Sequence, residues 1–326
     1  MTAIESTMSD RPRFLFVFPF QLQPRLRSAL RWLGWTLLAL ILLTGFVAGS
    51  GWWYFHPRYH REHAIKYGRR HGRPLVLDVV RPASPNGLGV VLVVSGGWKS
   101  GTNSFHPWMV APLLRRGYTV FPVCHVSAPT SSVTEIAADV QRGVRFIRFH
   151  AQKYGIDPNR LGVTGGSAGG HLSLILATRG GPGPVDASDP VDRESSAVQA
   201  VAIFYPVTDL LDLHGSITDS GGDLPPRGYE AAFGSVTNRD VWHEMGRALS
   251  PIAHVTSNLP PILIYHGDAD TLVPLNQSER FANRAAQVGR PIRLVVHPGG
   301  KHGWPSMVWD IREFGAWFDE HLRPSP

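Results

Sequence analysis

The chain has 326 residues, 43% hydrophobic and 17% charged, a composition that excludes a disordered chain and allows a large buried core. Its single cysteine, Cys124, excludes a disulfide framework and a cysteine-rich zinc site, and reads as a packed thiol at a strand end. The net charge of +7 does not point to nucleic acid: much of the basic excess lies in the first 73 residues, around an apolar stretch, with no basic helix or aromatic-interleaved patch later.

Residues 1–31 read as a basic N-terminal tail. Residues 32–55 carry no charge and would span roughly 36 Å as a helix, enough to cross a hydrocarbon core of about 30 Å. Trp32 and Trp35 mark one end and Trp52, Trp53 and Tyr54 the other, as an interfacial aromatic belt requires. A transmembrane anchor is expected. A cleaved signal peptide is the competing reading, since Ala48-Gly49-Ser50 resembles a small-residue cleavage site. Arg11, Arg13, Arg25, Arg27 and Arg31 precede the span, and Arg58, Arg61, Lys66, Arg69, Arg70 and Arg73 follow it. The expected orientation puts the domain that follows on the extracytoplasmic side. Residues 56–73 are expected to be a solvated basic stalk; His56, His60 and His63 lack a carboxylate partner beyond Glu62 and do not read as metal ligands.

From residue 74 onward the pattern alternates strand and helix. Short Val/Leu-rich runs at 74–80, 89–94, 119–123, 161–164, 198–204, 261–265 and 292–296 read as strands. Helices are expected over 133–154, 168–178, 278–288 and 306–321. Near-continuously apolar strands separated by helices imply an α/β fold with a mostly parallel central sheet covered on both faces. Residues 211–250, with Gly221-Gly222 and Pro225-Pro226, break the alternation and read as a short cap insertion that walls the substrate space.

The chemistry gathers at the strand ends. Ser167, in Gly165-Gly166-Ser167-Ala168-Gly169, lies between a predicted strand and a predicted helix, where a nucleophile elbow needs small flanking residues. The carboxylate that orients its base should follow a later strand, and Asp270 is preferred to Asp268 because it lies further toward the sheet edge. His302, in a glycine-bracketed loop beyond one more strand, is the expected base; His297, His266, His254 and His171 read as structural. Gly96 and Gly97, with the Ala168 amide at the helix start, are the expected oxyanion donors, and Trp98 a substrate-wall candidate.

These residues resemble the esterase/lipase branch of the α/β-hydrolases that includes acetyl esterases, feruloyl-esterase-like proteins and the catalytic domains of prolyl oligopeptidases. The resemblance covers about residues 67–321. It rests on Gly96-Gly97-Trp98 with Gly101, Gly117-Tyr118, Asp139, Gly155-Ile156-Asp157-Pro158, the run from Gly165 to His171, His266 to Pro274, and His302-Gly303. Two departures stand out: Val94-Ser95 replaces the His-Gly that opens the family's His-Gly-Gly-Gly-Trp motif, and Cys124-His125 replaces a Tyr-Arg.

The resemblance implies a cofactor-independent serine hydrolase that cleaves small-molecule carboxylic esters, short-chain acyl or acetyl esters, through an acyl-serine. A prolyl-oligopeptidase-like peptidase and a non-catalytic, membrane-tethered binding module on a hydrolase scaffold are the alternatives.

Overall fold

A computed structural model describes residues 23–323 and divides the chain at Trp53 and Tyr54 into two units. The first described element is helix α1 (Pro24–Phe55), 32 residues that start eight positions earlier than the uncharged stretch. Arg25, Arg27 and Arg31, placed by sequence in a tail, lie on its opening turns, whereas Arg11 and Arg13 lie outside the described residues. The helix is long and apolar enough to cross a membrane, with a mean hydropathy of 1.9 over its most apolar 18 residues.

The second unit opens with a correction. Residues 59–70 are not a solvated stalk but strand β1 (Tyr59–Arg70), paired antiparallel with β2 (Arg73–Pro82). His71 and Gly72, both at positive φ (50° and 73°), form the two-residue turn between them. The basic side chains of β1 find acids far along the chain. Arg61 donates to Asp78 at 2.6 Å and Arg70 to Asp139 at 2.7 Å, and both carboxylates are buried. Each acid would be an uncompensated buried charge without its arginine.

Strands β3 (Gly89–Val93), β4 (Thr119–Val123), β5 (Leu161–Gly166), β6 (Ala200–Phe204), β7 (Ile262–Gly267) and β8 (Arg293–His297) complete an eight-stranded sheet in the order β1-β2-β4-β3-β5-β6-β7-β8. The pairs β1–β2 and β2–β4 are antiparallel and the rest parallel. The fold is that of an α/β-hydrolase.

The helices are α2 (Ala111–Arg115), α3 (Val133–Phe149), α4 (Ala151–Tyr154), α5 (Ala168–Arg179), α6 (Pro190–Arg193), α7 (Arg239–Leu249), α8 (Asn276–Gln287) and α9 (Met307–Leu322). Alternate strand residues feed two cores, as the pleat requires. Val91, Val163, Ile203 and Ile264 pack under α3, α5 and α8, while Val90, Val120 and Leu263 pack under α2 and α9. Phe314 and Phe318 of α9 are fully buried, each contributing roughly 3 kcal/mol of hydrophobic stabilisation. A capping box between Ser132 and Glu135 starts α3, which ends at Phe149, and His150 separates it from α4, so the helix is not continuous to residue 154. Within the insertion at residues 211–250, α7 and the buried Trp242 and Phe233 hold the segment against the main core.

Candidate active site

Strand β5 ends at Gly166 and α5 begins at Ala168, so Ser167 is the single residue between them. Its φ of 54° and ψ of −121° are a strained conformation for a side-chain-bearing residue, worth roughly 1–3 kcal/mol. Sterics explain the flanking glycines. A Cβ on Gly165 would lie 2.7 Å from the Gly169 carbonyl, and one on Gly169 would lie 2.6 Å from Val93 O. Neither atom can move without breaking the sheet or the helix. β5 lies at the centre of the sheet, where the strand order reverses, so the serine faces the crevice at the C-terminal edge.

His302 and Asp270 meet Ser167 from two later loops. His302 Nε2 lies 2.9 Å from Ser167 Oγ, and Nδ1 lies 2.7 Å from Asp270 Oδ2. The buried Asp270 carboxylate also accepts the Leu272 and Val273 N–H groups on Oδ1, both at 2.9 Å. With the carboxylate ionised, Nδ1 donates and Nε2 accepts from the serine hydroxyl. Such an arrangement can take the hydroxyl proton onto the imidazole and hold the resulting imidazolium against a carboxylate.

The two loops are laced together. Ala269 N–H donates to Gly300 O at 2.9 Å, and Gly299 N–H to Asp268 Oδ1 at 2.7 Å. Asp268 is therefore the turn acid. His266 is buried between Ser278 Oγ and the Val273 carbonyl, both 2.7 Å away, and burial holds its pKa below the usual range. His297 stacks on Trp304. Burial pushes the Cys124 thiol up to about 11, so it is a packed thiol and not a second nucleophile.

The oxyanion loop needs one correction. The Gly96 amide donates to Lys99 O at 2.9 Å, and the Lys99 amide to Gly96 O at 3.0 Å. Gly96 is committed to this tight turn and has no N–H left for an oxyanion. The Gly97 and Ala168 amides have no acceptor among the described residues, and both border a small cavity beside Ser167. Gly97 sits at φ 53°, and its backbone passes so close to Tyr229 that a Cβ would lie 3.0 Å from that ring.

Two histidines brace this loop. Trp98 Nε1–H donates to His171 Nδ1 at 3.2 Å, and His171 Nε2–H donates to the Leu249 carbonyl at 2.8 Å, which sets the tautomer. Trp98 itself walls the small cavity, edge-on to Tyr229 and Phe233. On the other side, His125 Nε2 lies 2.9 Å from Ser95 Oγ and Nδ1 lies 3.0 Å from Val126 O. The two departures from the family pattern are thus partners. The histidine absent at residue 94 has a counterpart delivered from the end of β4 to the serine that follows.

His125, Tyr205 and Tyr229 were not assigned site roles from sequence. The Tyr205 ring centres 4.5 Å from that of His302, and burial pushes its hydroxyl up to about 12. Its signal was positional, since it follows β6 at the same sheet edge as the nucleophile.

Burial lowers the pKa of both His125 and His171 to about 4, from an ordinary 6.5. The sign follows from linkage: above pH 6.5 both are neutral folded or unfolded, and stability is unaffected. Between 6.5 and 4 the unfolded chain takes up the protons first, so each group withdraws up to about 3 kcal/mol of stability. The thermal midpoint is therefore expected to fall as pH drops through this window, and a midpoint flat from pH 7 to pH 4 would contradict it.

Comparison with known proteins places these residues in context. The family model described as BD-FAE matches residues 77–285. A probable carboxylic ester hydrolase of Mycobacterium tuberculosis, LipM, is 28% identical over 76% of this chain and 58% of its own length. A probable isoprenylcysteine α-carbonyl methylesterase of Arabidopsis thaliana is 25% identical over 81% of this chain and 55% of its own. The chain thus spans little more than half the length of either relative. Among solved structures, a truncated carbohydrate esterase from gut microbiota superposes with a TM-score of 0.67 at 25% identity, covering 81% of this chain and 98% of that one.

Proposed function

From the premise that the chain belongs to the BD-FAE family, we propose that it is a serine esterase that cleaves carboxylic esters, in particular short-chain acyl or acetyl esters, through an acyl-serine. The observation that carries this reading is the unbroken hydrogen-bonded line from Ser167 through His302 to Asp270.

Ser167 Oγ attacks the ester carbonyl carbon as His302 Nε2 takes its proton. The carbonyl π electrons move to oxygen, and the Gly97 and Ala168 amides stabilise the oxyanion at the N-terminus of α5. Collapse breaks the bond to the alcohol oxygen, which receives the proton from His302. Water, deprotonated by His302, then attacks the acyl-serine and releases the acid. Asp270 holds the imidazole tautomer throughout. No step calls for a cofactor. The relatives, named for carboxylic, isoprenylcysteine and carbohydrate esters, agree on the reaction and differ in the alcohol or acid attached. Hydrolysis of p-nitrophenyl acetate by the wild type, and its loss in Ser167→Ala, tests the reading.

Helix α1 is read as an uncleaved anchor that holds the catalytic unit on the extracytoplasmic side. Support comes from the tryptophans near both ends of its uncharged stretch, and from Ala48-Gly49-Ser50 lying inside a helix that continues to Phe55. The full chain is expected to resist alkaline carbonate extraction at its uncleaved mass, and to be digested by protease added outside sealed spheroplasts. A chain shortened to about residue 50 and found in the soluble fraction would identify a signal peptide instead.

A further inference from the structure

Ser167 stands between two spaces of very different size. One, of about 30 Å³, is bounded by Ala168, Gly97, Trp98, Val207, Leu210 and Leu213. The other, of about 690 Å³, is bounded by His302, Phe105, Met109, Val110, Met307 and Ile311. Resting on the esterase reading, the chemistry decides which half of an ester enters each. The acyl oxygen must reach the Gly97 and Ala168 amides, of which Gly97 borders both spaces and Ala168 the small one alone. The departing alcohol oxygen must receive a proton from His302, which borders the large space but not the small one. The small space has room for about two water-sized groups, the size of an acetyl or propionyl chain.

The large space is apolar where it is deep. Phe105, Val110 and Leu113 are buried, and Met109 and Met307 line its sides with adaptable side chains beside Ile311. Two of its hydroxyls are already committed: Ser95 Oγ to His125, and Ser100 Oγ to the Val94 carbonyl. Among the described residues that line it, Lys99, which is exposed, is the one lysine, arginine or carboxylate. The Ser104 and Tyr229 hydroxyls also line the space, so a polyhydroxylated alcohol would find partners for only some of the hydroxyls it desolvates, whereas an alkyl chain would lose only unfavourable hydration.

The surroundings of α9 are apolar as well. Trp309, between Met307 and Ile311 in sequence, stacks on Tyr54 at 5.6 Å and meets Phe55 edge-on at 5.0 Å, and Arg115 donates to the Tyr54 carbonyl at 2.6 Å. We propose that the enzyme removes short acyl groups from esters of long-chain apolar alcohols, with the acyl group in the small space and the alcohol chain in the large one.

Octyl acetate and ethyl octanoate have the same atoms and differ only in which side of the ester is long. For the full chain in lipid nanodiscs, kcat/KM for octyl acetate is expected to exceed that for ethyl octanoate by about a hundredfold, and that for ethyl acetate by about tenfold. Ile311→Trp, which narrows the groove, should lower the octyl acetate to ethyl acetate ratio about tenfold. Met109→Trp, at a more exposed position, tests the same point should the first variant fail to fold. Equal or preferred cleavage of ethyl octanoate, or a ratio untouched by the folded variants, overturns the assignment. Titration calorimetry of Ser167→Ala separates the two readings. If the wild type cleaves no ester but this variant binds octyl acetate more tightly than ethyl octanoate, the esterase reading falls and the groove assignment stands; no preference overturns the groove assignment too.

Discussion

Replacing Ser167 with alanine is expected to lower kcat for p-nitrophenyl acetate by a factor on the order of 10⁴ to 10⁶. The variant removes one oxygen and with it the atom that forms the acyl bond. His302 and Asp270 remain hydrogen-bonded to each other, so the imidazole keeps its tautomer but has no hydroxyl to deprotonate. Alanine carries the same Cβ at the same strained φ of 54°, so the elbow is neither relieved nor further distorted, and the thermal midpoint should stay within a few degrees of wild type. Residual hydrolysis above the water rate would reflect the Gly97 and Ala168 amides acting on a bound ester attacked by water. A Ser167→Ala protein that folds and retains more than a tenth of the wild-type rate would show that another group is the nucleophile.

Asp270→Asn is expected to lower kcat by about 10³ to 10⁴ with little change in stability. The reason lies in how the carboxylate is held. Oδ1 accepts two backbone amides, from Leu272 and Val273, so an asparagine must leave its oxygen there and turn its NH₂ toward His302. Nδ1 must then accept, Nε2 carries the proton, and the imidazole can no longer take one from Ser167. Asp268 provides the comparison. It is exposed and accepts only the Gly299 amide, so Asp268→Asn should keep kcat within about threefold of wild type. The opposite ranking of the two variants would transfer the orienting role to Asp268.

Much of this site was legible before any fold was known, because its signals are local. A serine between glycines at a strand-to-helix junction is written in five consecutive residues. The glycines are there because the turn brings backbone to within 2.6 and 2.7 Å of where their Cβ atoms would be. The strands of the parallel sheet are also local: buried on both faces, they read as short continuous apolar runs. The junctions after β7 and β8 then placed Asp270 and His302 in chain order at the same edge as Ser167.

What failed depended on partners distant in sequence. Strand β1 looked like a solvated basic segment because its arginines are satisfied by Asp78 and Asp139, the latter 69 residues from Arg70. The two glycines of the oxyanion loop are indistinguishable as letters. They separate only when the turn closes and Lys99 takes the Gly96 amide while Gly97 stays open to the cavity.

Composition and local pattern thus determined the fold class, the apolar helix and the chain order of Ser167, Asp270 and His302. Only the tertiary structure decided which amides are free, that His125 braces Ser95, and that a small and a large apolar space flank the serine, since hydrogen bonds and cavities are shared between segments that meet only after folding.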